Sequence, residues 1–266
     1  MTAWIFDVDG VITNSETKQI TNPQIVEEII SLLEKGKVAF ITGRSLSWLK
    51  EKVLSEIEEK VQNKDIFDNL IALCEFGGVI LTYKNGILNK SKKPAFTIHK
   101  ELNKEFEDLV ETKFSDSMSV DSTKETIITA EVHDNFDLDK FKKEAEKLTV
   151  ELSSLLDKYN LNNKLAVHID RLGINIRYKE GNKSTAVREF LGWLEDQKVK
   201  PWRFVAFGDS RNDTEMAEEL YRQNLNFEFV FVGEKEELKG LMFPFKVIFT
   251  KEHYEKGTLE YLVSNR

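Results

Sequence analysis

Two aspartates two residues apart, Asp7 and Asp9, directly follow an apolar run in "AWIFDVDG". Side chains two apart on an extended segment point the same way, so this spacing predicts that both carboxylates face one site. Like charges held that close need a cation or a shared proton. Asp209 and Asp213, in "GDSRNDTEM", add two more carboxylates just after another apolar run, "RFVAF". An all-oxygen ligand set at a water-accessible edge suits Mg²⁺ rather than zinc. The four histidines (His99, His133, His168, His253) are scattered without metal-ligand spacing. A carboxylate cluster with a metal needs an electrophile that gains from charge neutralisation, as phosphoryl groups do. Thr42, in "FITGR", offers a hydroxyl and a backbone N–H to phosphate oxygens. Lys183 opens the segment "NKSTAVREF", where an ammonium joins a helix N-terminus as an anion site.

The elements that must position these residues follow from apolar periodicity. "AWIF", "KVAFI" and "NLIALCE" read as buried strands, separated by the amphipathic stretches "NPQIVEEIISLLEKG" and "SLSWLKEKVLSEIEEKV". The first stretch has Asn22 as N-cap, Pro23 at the first helical position, Gly36 as its stop, and Ile25, Ile29, Ile30, Leu32 and Leu33 as its apolar stripe. Wholly apolar strands alternating with helices predict an α/β fold, a doubly wound parallel sheet covered on both faces. In such a sheet ligands bind beyond the carboxyl ends of the strands. Asp7, Thr42 and Asp209 each sit at such an end, so residues about 200 positions apart are expected to converge.

From about Tyr83 to Lys179 the pattern changes. "ETIITAEVH" and "LAVHIDRLGINIRY" read as antiparallel strands and "DLDKFKKEAEKLTVELSSLLDKY" as a helix, with "KKEAEK" on its solvated face. The expected organisation is a core of 1–83 and 181–266 with an α+β domain, 84–180, inserted. Strand and helix patterns then resume with "KSTAVREFLGWLED", "RFVAF", "DTEMAEELYRQ", "FEFVFV", "FKVIF" and "GTLEYLVSN". Trp48 and Trp193, at helical spacing among apolar neighbours, are expected in the core. Within the insert, His168, Asp170, Arg171, Arg177 and Lys179 gather on one predicted hairpin, where most of the charge is expected to be solvated. "GNKST" is not a phosphate-binding P-loop, because that motif requires glycine at 177 and 182, which are Arg177 and Asn182.

The chain has 266 residues, 41% hydrophobic and 32% charged, with a formal net charge of −8. That balance argues against nucleic acid or an anionic membrane as the main partner. A single cysteine, Cys74, excludes an internal disulfide and fits a reducing compartment. No signal-peptide pattern is evident, and no run reaches the ~20 apolar residues of a membrane span. A cytoplasmic location is the expectation.

"DVDGVITNS", "FITGR", "GNKSTAV" and "GDSRNDTEM" resemble, in order, the four motifs of the haloacid dehalogenase superfamily of phosphohydrolases. The insert resembles the α+β cap of its Cof-type and sugar-phosphate phosphatase branch, and "CEFGGVIL" stands where that branch often has an Asn-Gly-Ala turn. The resemblance implies Asp7 as nucleophile, forming an aspartyl-phosphate, and Asp9 as the acid that protonates the leaving oxygen and the base that activates water. It implies Mg²⁺ held by Asp7, Asp209 and the Asp9 backbone carbonyl, with Asp213 ordering the metal's waters or Lys183. Thr42, Gly43 and Lys183 would bind the substrate phosphate. Arg44 and Asn212 would be substrate contacts or supports behind the first ring of residues. "INIRYKEGNKSTAV" is similar to a segment of trehalose-phosphate, sucrose-phosphate and mannosyl-phosphoglycerate phosphatases. The implied activity is Mg²⁺-dependent hydrolysis of a small phosphorylated metabolite, foremost a sugar phosphate. The alternatives are a phosphomutase of the phosphomannomutase type and a non-catalytic ligand-binding relative.

Overall fold

In the computed structural model, which describes residues 1–170 and 172–265, the chain forms two compact units, 1–91 with 182–266, and 92–181. The first is built on one large sheet. Its strands are β1 (Thr2–Asp7), β2 (Lys37–Ile41), β3 (Leu70–Cys74), β4 (Val79–Lys84), β5 (Ile87–Lys92), and, after the insert, β10 (Arg203–Gly208), β11 (Phe227–Phe231) and β12 (Val247–Phe249). Their order is β12-β11-β10-β1-β2-β3-β4-β5. The pairs from β12 to β3 are all parallel, and β4 runs antiparallel to β3.

Alternation along each strand divides the core. Phe6, Phe40 and Phe207 point to one face, with α1 (Pro23–Lys35) and α8 (Tyr254–Ser264); Ile5, Ile41 and Ala206 point to the other, with α6 (Lys183–Asp196) and α7 (Thr214–Arg222). Phe6 and Phe207 stack at 4.7 Å between ring centroids. Burying each such side chain stabilises the sheet by about 1.5–3 kcal/mol, so β1 and β10 are held in register where Asp7 and Asp209 follow them.

The cap expected for α1 is present: Asn22 Oδ1 accepts from the Gln24 N–H, and the Gly36 N–H donates to Leu32 O. The second amphipathic stretch is one helix in the sequence pattern. In the structure α2 (Leu46–Leu49) passes through a π-turn (Lys50–Leu54) into α3 (Ser55–Lys60). Trp48 and Trp193 are only partly buried, each on the rim of a core, under Arg44 and Lys37 respectively. The hairpin β4–β5 stays in the large sheet, so the boundary lies after Ser91 rather than after Tyr83.

The second unit is a four-stranded antiparallel sheet, order β6-β7-β9-β8, made of β6 (Met118–Val120), β7 (Ile128–Val132), β8 (Leu165–Asp170) and β9 (Gly173–Tyr178). Helices α4 (Lys100–Lys113) and α5 (Leu138–Lys158) pack on one face through Leu102, Phe106, Phe141 and Leu148. The sequence pattern leaves α4 out, because only Leu102, Phe106 and Val110 of its fourteen residues are buried.

Candidate active site

β1 ends on Asp7, and the chain then turns tightly. The Val8 carbonyl accepts from the N–H groups of Val11, Ile12 and Thr13, and Gly10 takes a left-handed φ of +74°. A side chain at Gly10 would place its Cβ 2.3 Å from Asp209 Oδ2, so only glycine lets the two strand ends close on each other.

Asp7, Asp209 and Asp213 come together, each offering an oxygen within 4.8 Å of the others. Lys183 enters from the start of α6. Its Nζ donates to Asp7 Oδ1 at 2.6 Å and to Asp213 Oδ1. Asp213 is wholly buried, and its Oδ2 accepts from the N–H groups of Asp209 and Ser210 at 2.9 and 2.8 Å and from Ser210 Oγ at 2.8 Å. Both of its oxygens are therefore engaged by protein donors. Asp213 fixes Lys183 and the backbone of Asp209, which leaves Asp7 and Asp209 as the carboxylates facing a ligand.

Three carboxylates against one ammonium make an electrostatically unbalanced group. Burial, with Asp213 and Asp9 adding to it against the pull of Lys183, raises Asp7 to about 7. Burial, Asp213 and Asp7 raise Asp209 to about 9. Burial acts to lower Lys183, yet Asp213 and Asp7 overturn it and hold the ammonium well above its ordinary value. A divalent cation relieves this excess, and an all-carboxylate donor set matches Mg²⁺.

Asp9 does not join the three. Past the strand end its carboxylate turns to Arg44, whose Nε donates at 3.3 and 3.2 Å and whose Nη2 donates at 3.1 Å. Lys18, from the loop after β1, lies 3.7 Å from Asp9 Oδ1. Strand alternation does not set the direction of Asp9, because β1 stops at Asp7 and Asp9 lies in the turn beyond it, still close enough to act on the Asp7 carboxyl. Arg44 is stacked on Trp48 at 5.0 Å, and its N–H donates to Thr42 Oγ1 at 3.0 Å. Lys18 carried no recognisable motif; a left-handed φ of +56° brings it round.

Thr42 and Gly43 follow β2, and the turn Glu75-Phe76-Gly77 lies against them. Asn212 is exposed on the single 3₁₀ turn Arg211–Asp213.

In the second unit the described hairpin charges are divided between buried, half-buried and exposed positions. Arg177 is buried, and its Nη2 lies 3.3 Å from His168 Nδ1; Asp170 accepts from Asn175, which in turn accepts from Thr129. Lys179 is exposed as expected, and Arg171 lies outside the described residues. Thr129, His168, Asn175 and Arg177 share one face of the sheet and alternate with the apolar residues that pack on α4 and α5.

The sequence profile of the haloacid dehalogenase-like hydrolases matches residues 4–222. Among curated proteins there is no match. Solved structures of similar fold include Aspergillus fumigatus trehalose-6-phosphate phosphatase, at 14% identity and TM-score 0.59 over 99% of this chain and 91% of that one. A Thermoplasma acidophilum protein has 17% identity and TM-score 0.61 over 99% and 97%. IMP-bound Plasmodium falciparum IMP-nucleotidase has 12% identity and TM-score 0.57 over 90% and 66%. No helix among the described residues is long and apolar enough to cross a membrane. With the profile spanning both strand-end aspartate motifs, the Lys183 helix and the insert, the chain belongs to the haloacid dehalogenase-like hydrolases.

Proposed function

We propose that the protein is a Mg²⁺-dependent phosphatase acting on a small phosphorylated metabolite, with sugar phosphates the leading class. One observation carries this reading: Asp7, at the end of β1, is paired with Lys183 beside Asp209, an arrangement that brings a carboxylate to a dianion without charge repulsion. The family match supports phosphoric monoester hydrolysis. Asp7 and Asp209, with the Asp9 backbone carbonyl, would hold Mg²⁺, which when bound supplies charge neutralisation at the phosphate.

Asp7 Oδ attacks phosphorus, and the bond from phosphorus to the ester oxygen breaks. Asp9 gives its proton to that oxygen, so an alcohol leaves and an aspartyl-phosphate remains. Asp9 then takes a proton from water, the resulting hydroxide attacks phosphorus, and Asp7 is released with inorganic phosphate. Thr42, the Gly43 N–H and Lys183 hold the phosphoryl oxygens and meet the charge that spreads over them. Arg44 orients Asp9, and an incoming phosphate competes with Asp9 for that guanidinium.

The test is a panel of phosphorylated metabolites scored for phosphate release with Mg²⁺, and with EDTA in its place. The panel spans hexose and disaccharide phosphates and nucleoside monophosphates, since the similar folds include proteins named for both classes. Release from sugar phosphates that stops with EDTA is the expected result. Release from none, or release indifferent to EDTA, refutes the reading.

A further inference from the structure

The described backbone holds three consecutive residues in the left-handed region: Glu75 at φ +51°, Phe76 at +56° and Gly77 at +87°. Two of them carry side chains that disfavour it, and a large aromatic residue there is an outlier. Such a conformation persists only where its surroundings over-determine it. Here the surroundings are the parts that would hold phosphate. The Phe76 N–H donates to Thr42 O at 3.0 Å, the Glu75 N–H to Arg44 O at 3.1 Å, and the Thr42 N–H to Leu73 O at 3.0 Å. The Phe76 ring lies over Gly43 so closely that a Cβ there would be 2.7 Å from Cζ. On the other side, a Cβ on Gly77 would be 3.3 Å from the Cα of Ala186, one turn into the helix that begins at Lys183.

The turn therefore touches both elements that the phosphatase reading assigns to the phosphate, the Thr42–Arg44 loop and the Lys183 helix. Resting on that reading, we infer that Phe76 is a positioning residue: held left-handed between β3 and β4, it wedges the 42–44 loop at a fixed distance from Lys183 and so sets the width of the phosphate cradle. A flat ring suits this role, since it presses on Gly43 without adding a polar group to the cradle. The tightness of that contact explains why residue 43 is glycine although its φ is not left-handed.

The test uses the whole chain with Mg²⁺ and p-nitrophenyl phosphate, and inorganic phosphate as inhibitor. Phe76→Asn accepts the left-handed backbone but removes the ring. KM and the phosphate inhibition constant should both rise about tenfold while kcat changes by less than about threefold, the pattern of lost uniform binding. A role in folding alone would lower the melting temperature and leave the inhibition constant unmoved, which overturns the inference. A second pair keeps the question open to test should Phe76→Asn fail to fold. Gly43→Ala in the parent should weaken phosphate about tenfold by striking the ring, whereas in a Phe76→Leu background the same change should cost less than about threefold, because contacting residues are non-additive. Additive effects overturn the wedge. A parent chain that hydrolyses nothing refutes the phosphatase reading itself, which an active parent with indifferent Phe76 variants does not.

Discussion

Each unit buries a polar cluster, and the two are balanced differently. In the first unit Asp7, Asp209 and Asp213 face the single ammonium of Lys183, and two of the three carboxylates are driven far up in pKa. In the second, Thr129, Asn175 and Asp170 form a chain of 2.6 Å hydrogen bonds, and Arg177 lies against His168. Burial and Arg177 lower the pKa of His168, so it adds no second positive charge. One acid, one base and neutral partners leave this network without surplus charge. The strand-end cluster has surplus negative charge that only something from outside can complete. A buried cluster with surplus charge points to a ligand; a matched one specifies a fold.

The largest effect that would break this comparison is on turnover. Asp7→Asn keeps shape but removes the nucleophile, and phosphate release should fall about 10⁴-fold or more, with near-parent circular dichroism. Turnover above roughly a thousandth of the parent refutes the assignment. Asp9→Asn should separate the two steps. General acid–base help is worth roughly 10²–10⁴ in rate, but p-nitrophenyl phosphate needs little help in departing. The mutant should give a burst of one product per enzyme, then a slow phase indifferent to the leaving group. Equal losses on good and poor leaving groups, without a burst, would make Asp9 a support only.

Stability should move in opposite directions in the two clusters. Asn175→Ala leaves Thr129 and Asp170 without their partner, and should cost about 1–3 kcal/mol in urea unfolding. Asp209→Asn in EDTA at pH 8 spares the folded state the uptake of a proton that the unfolded chain does not hold, and should raise the melting temperature. For a domain of 150–250 residues each kcal/mol gained is worth about 2–4 °C. A loss there would mean that the cluster is balanced after all. The same surplus sets the pH profile in EDTA. Asp7 and Asp209 have folded-state pKa values of about 7 and 9, above the ordinary 3.8, so between those limits the folded state binds more protons than the unfolded one. Their contribution is complete below pH 4 and fades as pH rises through 7 and then 9. Mg²⁺ should flatten that decline.

Most of the strand-end geometry was legible in the sequence because it depends on local rules. Apolar runs of four residues leading to Asp7, Thr42 and, past Gly208, Asp209 become parallel strands whose ends meet, and Asn182 caps the helix that presents Lys183. What escaped depends on contacts with no periodicity. Lys18 reaches Asp9 from an irregular loop, and Asp9 itself sits in a turn past the end of strand pairing, where alternation no longer applies. Helix α4 escaped because its apolar stripe is narrow, with Leu102, Phe106 and Val110 its only buried residues. Arg177 looked like a solvated strand residue because its neighbours on that face, His168, Asn175 and Thr129, are polar, and polarity alone does not separate buried from exposed positions.

Cys74, the chain's sole thiol, is the last residue of β3 and fully buried, directly before the left-handed turn. An alkylating reagent meets it only while that end of the sheet is open, so the rate of covalent capture is a clock for opening events. The clock is already built into the natural chain at the junction between the sheet and the 42–44 loop. Inorganic phosphate that seats against the loop should slow it, which turns ligand occupancy into a mass shift read over time.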